Sequence, residues 1–151
     1  MKIWYFPILL LLVALTYSYW AGYTPAFLGV AYFIVSLVSY LLYAKDKKAA
    51  RSGAWRVSEN TLHLSALVGG WPGSIVGQQR LRHKTQKVSF RIVFYIMLLL
   101  NVGLLSFLHT PYGSHKLHTY IYNMENWTVS QFDSNLGVTV LLKLTKFRYD
   151  E

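Results

Sequence analysis

Three long apolar stretches limit what this chain can fold into. They are IWYFPILLLLVALTYSYW at residues 3–20, PAFLGVAYFIVSLVSYLLYA at 25–44 and FRIVFYIMLLLNVGLLSFLH at 90–109. Each is close to the roughly 20 apolar residues that an α-helix needs to cross a bilayer core about 30 Å thick. Because backbone polar groups find no water inside lipid, such segments must be helical. The sequence therefore predicts an all-α integral membrane protein with about three transmembrane helices.

The composition agrees with this prediction and excludes several kinds of site. Only 14% of the residues are charged, against about 25% in an average soluble domain. The chain has no cysteine, which excludes disulfides, thiol catalysis and thiolate metal sites. Residues 21–24, between the first two apolar stretches, are uncharged and are predicted to form the turn of a helical hairpin.

The excess positive charge lies beside the apolar stretches. The net charge is +9; residues 45–60 carry five basic and two acidic side chains, and residues 80–91 carry five basic and no acidic ones. Cytoplasmic loops of membrane proteins are enriched in Lys and Arg. We therefore expect a multi-pass protein of the bacterial inner membrane, with its N-terminus and both basic loops in the cytoplasm. Residues 1–110 would form the transmembrane domain, and residues 111–151 an extracytoplasmic tail.

A fourth uncharged segment, residues 61–79, is long enough to cross a membrane but is interrupted in its middle. If it crosses, the two basic loops face opposite sides; if it dips in and returns, both lie in the cytoplasm. The excess of basic residues on cytoplasmic loops favours the second arrangement. We predict a re-entrant or interfacial helical hairpin. Its turn residues are Gly69, Gly70, Pro72 and Gly73.

Two polar regions are expected to have different structures. Residues 45–60 are predicted to form a juxtamembrane loop with a short interfacial helix, and Ser58 is predicted to begin the next helix. In the tail, residues 119–129 and 137–149 are rich in β-branched and aromatic side chains. This pattern predicts a small β-hairpin with its turn at 131–135; a loosely ordered tail is the alternative.

The basic segment 80–91 is the clearest candidate for a binding site. Anionic lipid headgroups attract each Lys or Arg near the membrane surface by about 1 kcal/mol, and the phosphates of nucleic acids are attracted by the same charge. The alternative is that this segment only anchors the topology of the protein. A topology anchor needs the same positive charge but does not need His83. The predicted anion-binding residues are Arg80, Arg82, His83, Lys84 and Lys87.

The two carboxylates that precede the tail are predicted to be structural. Both lie in strongly basic surroundings. Paired carboxylates can also perform acid–base catalysis, but an ion pair that holds the two basic loops together is the simpler interpretation. The residues predicted to form structural ion pairs are Asp46, Lys47, Arg56 and Glu59.

No recognisable catalytic or metal-binding pattern is present. The spacing of His63 and His83 matches no common metal-ligand motif, and no nucleophile, base and acid are arranged in sequence. The glycine-rich stretch 69–73 lacks the Lys-Ser/Thr of a phosphate-binding loop and follows no strand. We therefore expect no catalytic residue, no metal and no cofactor.

Two motifs resemble a known family. The first comprises Tyr43, Asp46, Lys47, Ala50, Arg56, Glu59 and Leu62. The second comprises Gly69-Gly70-Trp71-Pro72-Gly73, Arg82-His83-Lys84-Thr85, Lys87 and Phe90. Together they resemble the small bacterial membrane family called domain of unknown function 1294, over about residues 25–108. Some members join this module to a cold-shock, nucleic-acid-binding domain, whose pattern is not found in this sequence. The resemblance implies a membrane protein and no established reaction.

Three functions from different classes follow. The first, which we favour, is a non-enzymatic membrane protein whose cytoplasmic basic patch binds an anionic partner, either lipid headgroups or another protein. The second is membrane-associated nucleic-acid binding. The third is a membrane-embedded enzyme, or an oligomeric transporter, whose site would be formed by Glu59, His63, Arg82 and His83.

Overall fold

The structure is a computed structural model that describes residues 3–82, 87–132 and 135–148. Within these ranges it is helical and contains no strand. In chain order, its elements are a 3-10 turn at Ile3–Tyr5, α1 at Phe6–Trp20, α2 at Ala26–Ser52, α3 at Glu59–Ser65, a π-helical segment at Ala66–Gly70, α4 at Trp71–Leu81, α5 at Val88–Phe107, α6 at Pro111–Gln131 and α7 at Leu136–Thr145.

Three helices have the length and apolarity needed to cross a membrane. They are Ile3–Trp20, Ala26–Ser52 and Val88–Phe107, with mean hydropathies of 1.6, 2.0 and 2.1. Large apolar side chains cover their outer faces; Phe33 in α2 is 72% exposed and Leu99 in α5 is 67% exposed. Many exposed large apolar side chains on long helices are typical of proteins that contact lipid or another protein. The three apolar helices expected from the sequence are therefore confirmed.

α2 is longer than predicted. The sequence suggested a loop after residue 44, but the helix continues to Ser52. Residues 45–52 consist mainly of Lys, Ala and Arg, which are good helix formers, and Asp46 and Ala49 are buried. The predicted start of the next helix is confirmed, since the Ser58 side chain accepts a hydrogen bond from the Thr61 amide at 3.1 Å.

The predicted β-hairpin in the tail is wrong, because residues 111–131 and 136–145 form α6 and α7. Thr110 and Asn135 cap the two helices through their side chains, which is a strong local helix signal. The threonines that suggested strands are accommodated in helices. The hydroxyl groups of Thr128 and Thr139 each donate to the carbonyl four residues earlier, an interaction that helical threonine readily makes.

The described residues group into two compact units. The first contains the chain up to Leu11 and Ala31–Gly103, and the second contains Leu12–Val30 and the chain from Leu104 onwards. The core of the first unit is apolar. Its most deeply buried large side chains are those of Tyr43, Leu62, Trp71, Phe90 and Phe94.

The second unit has a polar centre. The buried Ser18 hydroxyl lies 2.7 Å from the Thr24 hydroxyl and 2.7 Å from Nε2 of His109, whose Nδ1 donates to the Leu105 carbonyl at 2.8 Å. The Arg148 guanidinium lies 3.6 Å from the centre of the Trp20 ring, a cation–π contact. These contacts hold the end of α1 and the following turn against His109, just after α5, and against Arg148 near the end of the tail.

In the first unit, α3, the π-helical segment and α4 follow one another without a loop but with a kink between them. We call these residues, 59–81, the broken helix. The interruption is at Gly69, whose φ of 110° is accessible mainly to glycine. Asn101 of α5 stabilises this break: its Nδ2 donates to the Leu67 carbonyl at 2.7 Å, and its Oδ1 accepts from Tyr32 at 2.7 Å and from the Trp71 indole at 3.0 Å. One buried amide therefore links α2, α5 and both sides of the break.

The broken helix packs directly on the backbone of α2 through glycines. A Cβ atom added to Gly73 would lie 1.7 Å from the Ser36 carbonyl oxygen, and one added to Gly70 would lie 2.9 Å from Cβ of Ser39. Small residues permit this close approach of helices in membrane proteins. The Ser39 hydroxyl also lies 2.7 Å from that of Ser74 in the buried contact.

The four predicted turn residues therefore have different roles. Gly69 forms the break, Gly70 is at the N-cap of α4, Pro72 lies in the first turn of α4, and Gly73 is inside that helix. All four are buried, so this stretch is covered by other parts of the protein. Burial of non-helical backbone agrees with the requirement that its polar groups find partners within the protein.

Candidate anion-binding site

Asp46 is the most deeply buried charged residue described in the first unit. Its side chain has no exposure to solvent. Arg56 donates to both carboxylate oxygens, with Nε at 3.2 Å and Nη2 at 3.4 Å. Hydrogen bonding to this carboxylate raises the pKa of the Arg56 guanidinium above its usual value. A buried carboxylate is stable only with such a partner, and Arg56 supplies one.

Two further contacts bring the basic segments 45–60 and 80–91 together. The Lys47 ammonium of α2 donates to the Leu81 carbonyl at the end of α4, one of the carbonyls that a helix end leaves without an internal partner. The Lys87 ammonium lies 2.8 and 2.9 Å from the two Glu59 carboxylate oxygens. Glu59 begins the broken helix, whereas Lys87 follows it by six residues. Residues on either side of the broken helix, Glu59 and Lys87, are therefore in direct contact.

Among the described residues, these contacts leave several cations without an internal counter-ion. Asp46 and Glu59 are the only carboxylates before Glu125, and each has a basic partner. Arg80, Arg82 and Arg91 are exposed. None of the three forms an ion pair with a carboxylate in the described ranges 3–82, 87–132 and 135–148. We call these three arginines the basic surface.

Two of the predicted anion-binding residues, His83 and Lys84, lie outside the described residues. Of the others, Arg80 and Arg82 belong to the basic surface, and Lys87 is paired with Glu59. Arg91 belongs to the predicted basic segment 80–91, although it was not among the predicted anion-binding residues. It lies near the start of α5, nine residues after Arg82.

Arg82 and Arg91 line one cavity of about 570 Å³, which we call the Arg82–Arg91 cleft. The 3-10 turn, α1, α4 and α5 contribute its walls. Other residues lining it include Trp4, Pro7, Ile75, Gln78, Phe94 and Leu98. Gln78 is held in place because its Nε2 donates to the Tyr43 hydroxyl at 3.2 Å.

Of the residues proposed for an enzyme or transporter, His83 lies outside the described residues. Arg82 lines the cleft, but Glu59 and His63 are not among its lining residues. His63 is buried and packs on Phe90, with their ring centroids 4.3 Å apart. Across the part of the chain that the structure describes, no three His, Asp or Glu side chains are grouped so that they could hold a metal ion.

Comparison with known proteins agrees with the resemblance in sequence. Residues 36–90 match the family described as protein of unknown function, DUF1294. The chain is also similar to the uncharacterized protein YsdA of Bacillus subtilis (strain 168), with 32% identity over 79 residues; the match covers 52% of this chain and 89% of YsdA. No solved structure matches the chain. The matched region contains both halves of the broken helix and the Asp46–Arg56 and Glu59–Lys87 pairs, and on this similarity the chain belongs to the DUF1294 family.

Proposed function

We propose that this protein is a small, non-enzymatic, multi-pass protein of the bacterial inner membrane, and that its basic surface binds anionic phospholipid headgroups in the cytoplasmic leaflet. The observation that carries this proposal is the position of Arg80, Arg82 and Arg91, which are exposed, have no ion pair among the described residues, and lie beside apolar helices. Anionic lipids attract such residues by about 1 kcal/mol each. A lipid surface supplies both the negative charge and the apolar surroundings that these helices need.

Contacts within each unit support a specific topology. In the first unit, the Lys47–Leu81 and Glu59–Lys87 contacts hold the two basic segments together, as expected if the broken helix is re-entrant. In the second unit, His109, two residues before the tail, contacts Ser18 near the end of α1 and Tyr23 in the turn that follows it. We therefore propose that the basic segments face the cytoplasm and that the turn and tail face the opposite side.

Cysteine accessibility tests this topology, and the chain has no native cysteine to interfere. Single cysteines at Ser52, Gln86 and Asn126 are expected to be labelled from the cytoplasm, the cytoplasm and the outside, respectively. The measurement is labelling of intact cells and of inverted vesicles with a membrane-impermeant maleimide. Labelling of positions 52 and 86 from opposite sides would contradict the re-entrant arrangement, because the broken helix would then cross the bilayer.

Charge reversal tests the lipid interaction. The double substitution Arg82→Glu and Lys84→Glu is expected to reduce the preference of the purified protein for phosphatidylglycerol over phosphatidylcholine at least tenfold, since two attractions of about 1 kcal/mol each are replaced by repulsion. The preference is measured by native mass spectrometry of the protein in mixed detergent–lipid micelles. Membrane insertion should not change.

Reversal of two charges in the tail, away from the basic surface in sequence, provides the control. Lys143→Glu with Lys146→Glu makes the same change of charge in the tail and should leave the lipid preference within about twofold of wild type. An unchanged preference in the Arg82→Glu, Lys84→Glu protein would contradict lipid binding by this surface. Salt-sensitive binding of an oligonucleotide that displaces phosphatidylglycerol would favour a nucleic-acid partner instead.

A further inference from the structure

The Arg82–Arg91 cleft has a gradient of polarity that runs in the same direction on two helices. Along α4, the lining residues change from Arg82 through Gln78 to Ile75. Along α5, they change from Arg91 through Phe94 to Leu98. Spacings of three and four residues place each set on one face of its helix. Arg82 follows the last residue of α4 and Arg91 lies in the first turn of α5, so both arginines lie at the ends of these helices that follow one another in the chain, and the apolar residues lie further along each helix.

This gradient matches the chemistry of an amphiphile. A free phosphate would need only the charged end of the cleft, and an apolar ligand would need only the apolar end. Trp4 also lines the cleft, and Trp is enriched where lipid headgroups meet acyl chains. A volume of about 570 Å³ lies within the range of roughly 300–1,000 Å³ typical of small-molecule sites, which suits a headgroup and the first part of its chains.

The charged end is suited to a phosphate. Arg82 and Arg91 line one cavity, yet neither has an ion pair within the described ranges. Guanidinium groups bind phosphate oxygens through paired, charge-assisted hydrogen bonds. An anion between the two arginines would also offset their mutual repulsion. Gln78 and Gln79 line the same cleft and carry amide groups that can donate to the glycerol or phosphate oxygens.

Arg82 occupies a backbone position at which glycine is favoured. It follows the C-terminus of α4 with φ 46° and ψ 49°, and its amide donates to the Gln78 carbonyl. It is the one non-glycine residue with positive φ among residues 3–82, 87–132 and 135–148. Helices commonly end with glycine in this left-handed conformation. An arginine there has a conformational cost that glycine would not have, which favours a role for its side chain.

We infer that the cleft binds one anionic glycerophospholipid, with its phosphate between Arg82 and Arg91 and an acyl chain along Ile75, Phe94 and Leu98. This inference rests on the proposed lipid-binding function and adds to it a single, saturable site. The rest of the basic surface would then attract lipid without fixing a particular molecule. The site differs from a general electrostatic attraction because neutral substitutions inside the cleft should weaken binding at least tenfold, whereas substitutions just outside it should change binding less than twofold.

The test is native mass spectrometry of the full chain in detergent with dioleoyl phosphatidylglycerol. We expect one tightly bound lipid per chain, at least tenfold weaker binding of phosphatidylcholine, and no displacement by a tenfold excess of inorganic phosphate. Arg82→Gly and Arg91→Gln should each weaken the binding of phosphatidylglycerol at least tenfold. Arg82→Gly should also leave the thermal unfolding midpoint unchanged or raise it, since glycine is favoured at this backbone position.

Matched variants separate the cleft from the surface around it. Leu98→Trp fills the apolar end of the cleft and should weaken binding at least tenfold, whereas Leu99→Trp, on the exposed neighbouring residue, should change it less than twofold. Arg80→Gln should likewise change it less than twofold. If Arg80→Gln weakens binding as much as Arg91→Gln, the lipid binds diffusely: the cleft is then excluded and the proposed function remains.

Two other results would overturn the inference in different ways. Displacement of the lipid by inorganic phosphate at equal concentration would indicate a free-anion site and exclude an acyl chain in the cleft. Equal binding of phosphatidylglycerol and phosphatidylcholine, unaffected by any arginine substitution, would exclude both the cleft and the proposed lipid-binding function.

Discussion

The substitution Gly73→Ala is expected to destabilise the protein by about 3 kcal/mol or more, at the upper end of the range for overpacked cores. The added methyl group would lie 1.7 Å from the Ser36 carbonyl oxygen and 2.5 Å from its carbonyl carbon. Both atoms belong to the backbone of α2, so no side-chain rotation can relieve the clash. The broken helix must move away from α2. The measurement is the free energy of unfolding in mixed micelles titrated with a denaturing detergent.

Two other glycines provide a graded comparison. Gly103 in α5 has no atom within 4 Å of an added Cβ, so Gly103→Ala should stabilise its helix by about 0.5–1 kcal/mol. Gly77 would contact Cβ of the Tyr43 side chain at 2.9 Å, and Gly77→Ala should be intermediate. Equal effects at Gly73, Gly77 and Gly103 would show that helix propensity, and not contact with α2, determines stability at these positions.

The sequence predicted the long helices well, because their signal is local. A run of about 20 apolar residues without charge has few alternatives to a helix. The break at Gly69 was also foreseeable, since glycine and proline disfavour a continuous helix. The contacts that Gly70 and Gly73 make with α2 were harder to predict. It depends on Ser36 and Ser39 of α2, more than 30 residues away in the chain.

The error in the tail has a clear physical origin. Strand propensity mainly measures how side chains pack on a half-buried sheet, and the described part of the chain forms no sheet on which α6 and α7 could pack. Local helix signals determine the structure instead. Pro111 lies in the first turn of α6 after the Thr110 cap, and Asn135 caps α7 by accepting from the Val138 amide at 3.0 Å. Greater weight on these caps would have predicted both helices.

The candidate site was partly predictable. Charge patterning identified the basic segments and the two carboxylates, since few charged residues occur elsewhere before the tail. It did not identify the cleft, which combines Trp4 near the N-terminus with Arg82 and Arg91. The charge pattern along one segment cannot reveal a cavity that is formed by three separate segments of the chain. A partial signal was present in α4, where Gln78 and Arg82 are four residues apart and therefore share a face.

Asn101 is another residue that the sequence alone could have identified, because a polar side chain inside an apolar span requires a partner. The substitution Asn101→Leu is expected to destabilise the protein by about 2–4 kcal/mol. It removes the partner of the Leu67 carbonyl, the Trp71 indole and the Tyr32 hydroxyl. Each buried polar group left unsatisfied costs about 1–3 kcal/mol. Hydrogen bonds between membrane helices often contribute only about 0.6 kcal/mol, so the expected total for the three groups is well below three times the larger figure.

A double-mutant cycle distinguishes this network from a simple change of shape. Tyr32→Phe removes one hydroxyl donor and should cost about 1 kcal/mol by itself. In the Asn101→Leu background, the same substitution should cost almost nothing or stabilise the protein, because the hydroxyl already lacks its acceptor. The coupling energy should therefore be about 0.5–1.5 kcal/mol, measured from detergent unfolding of the four proteins. Strict additivity would show that Asn101 stabilises the broken helix by packing, independently of its hydrogen bond with α2.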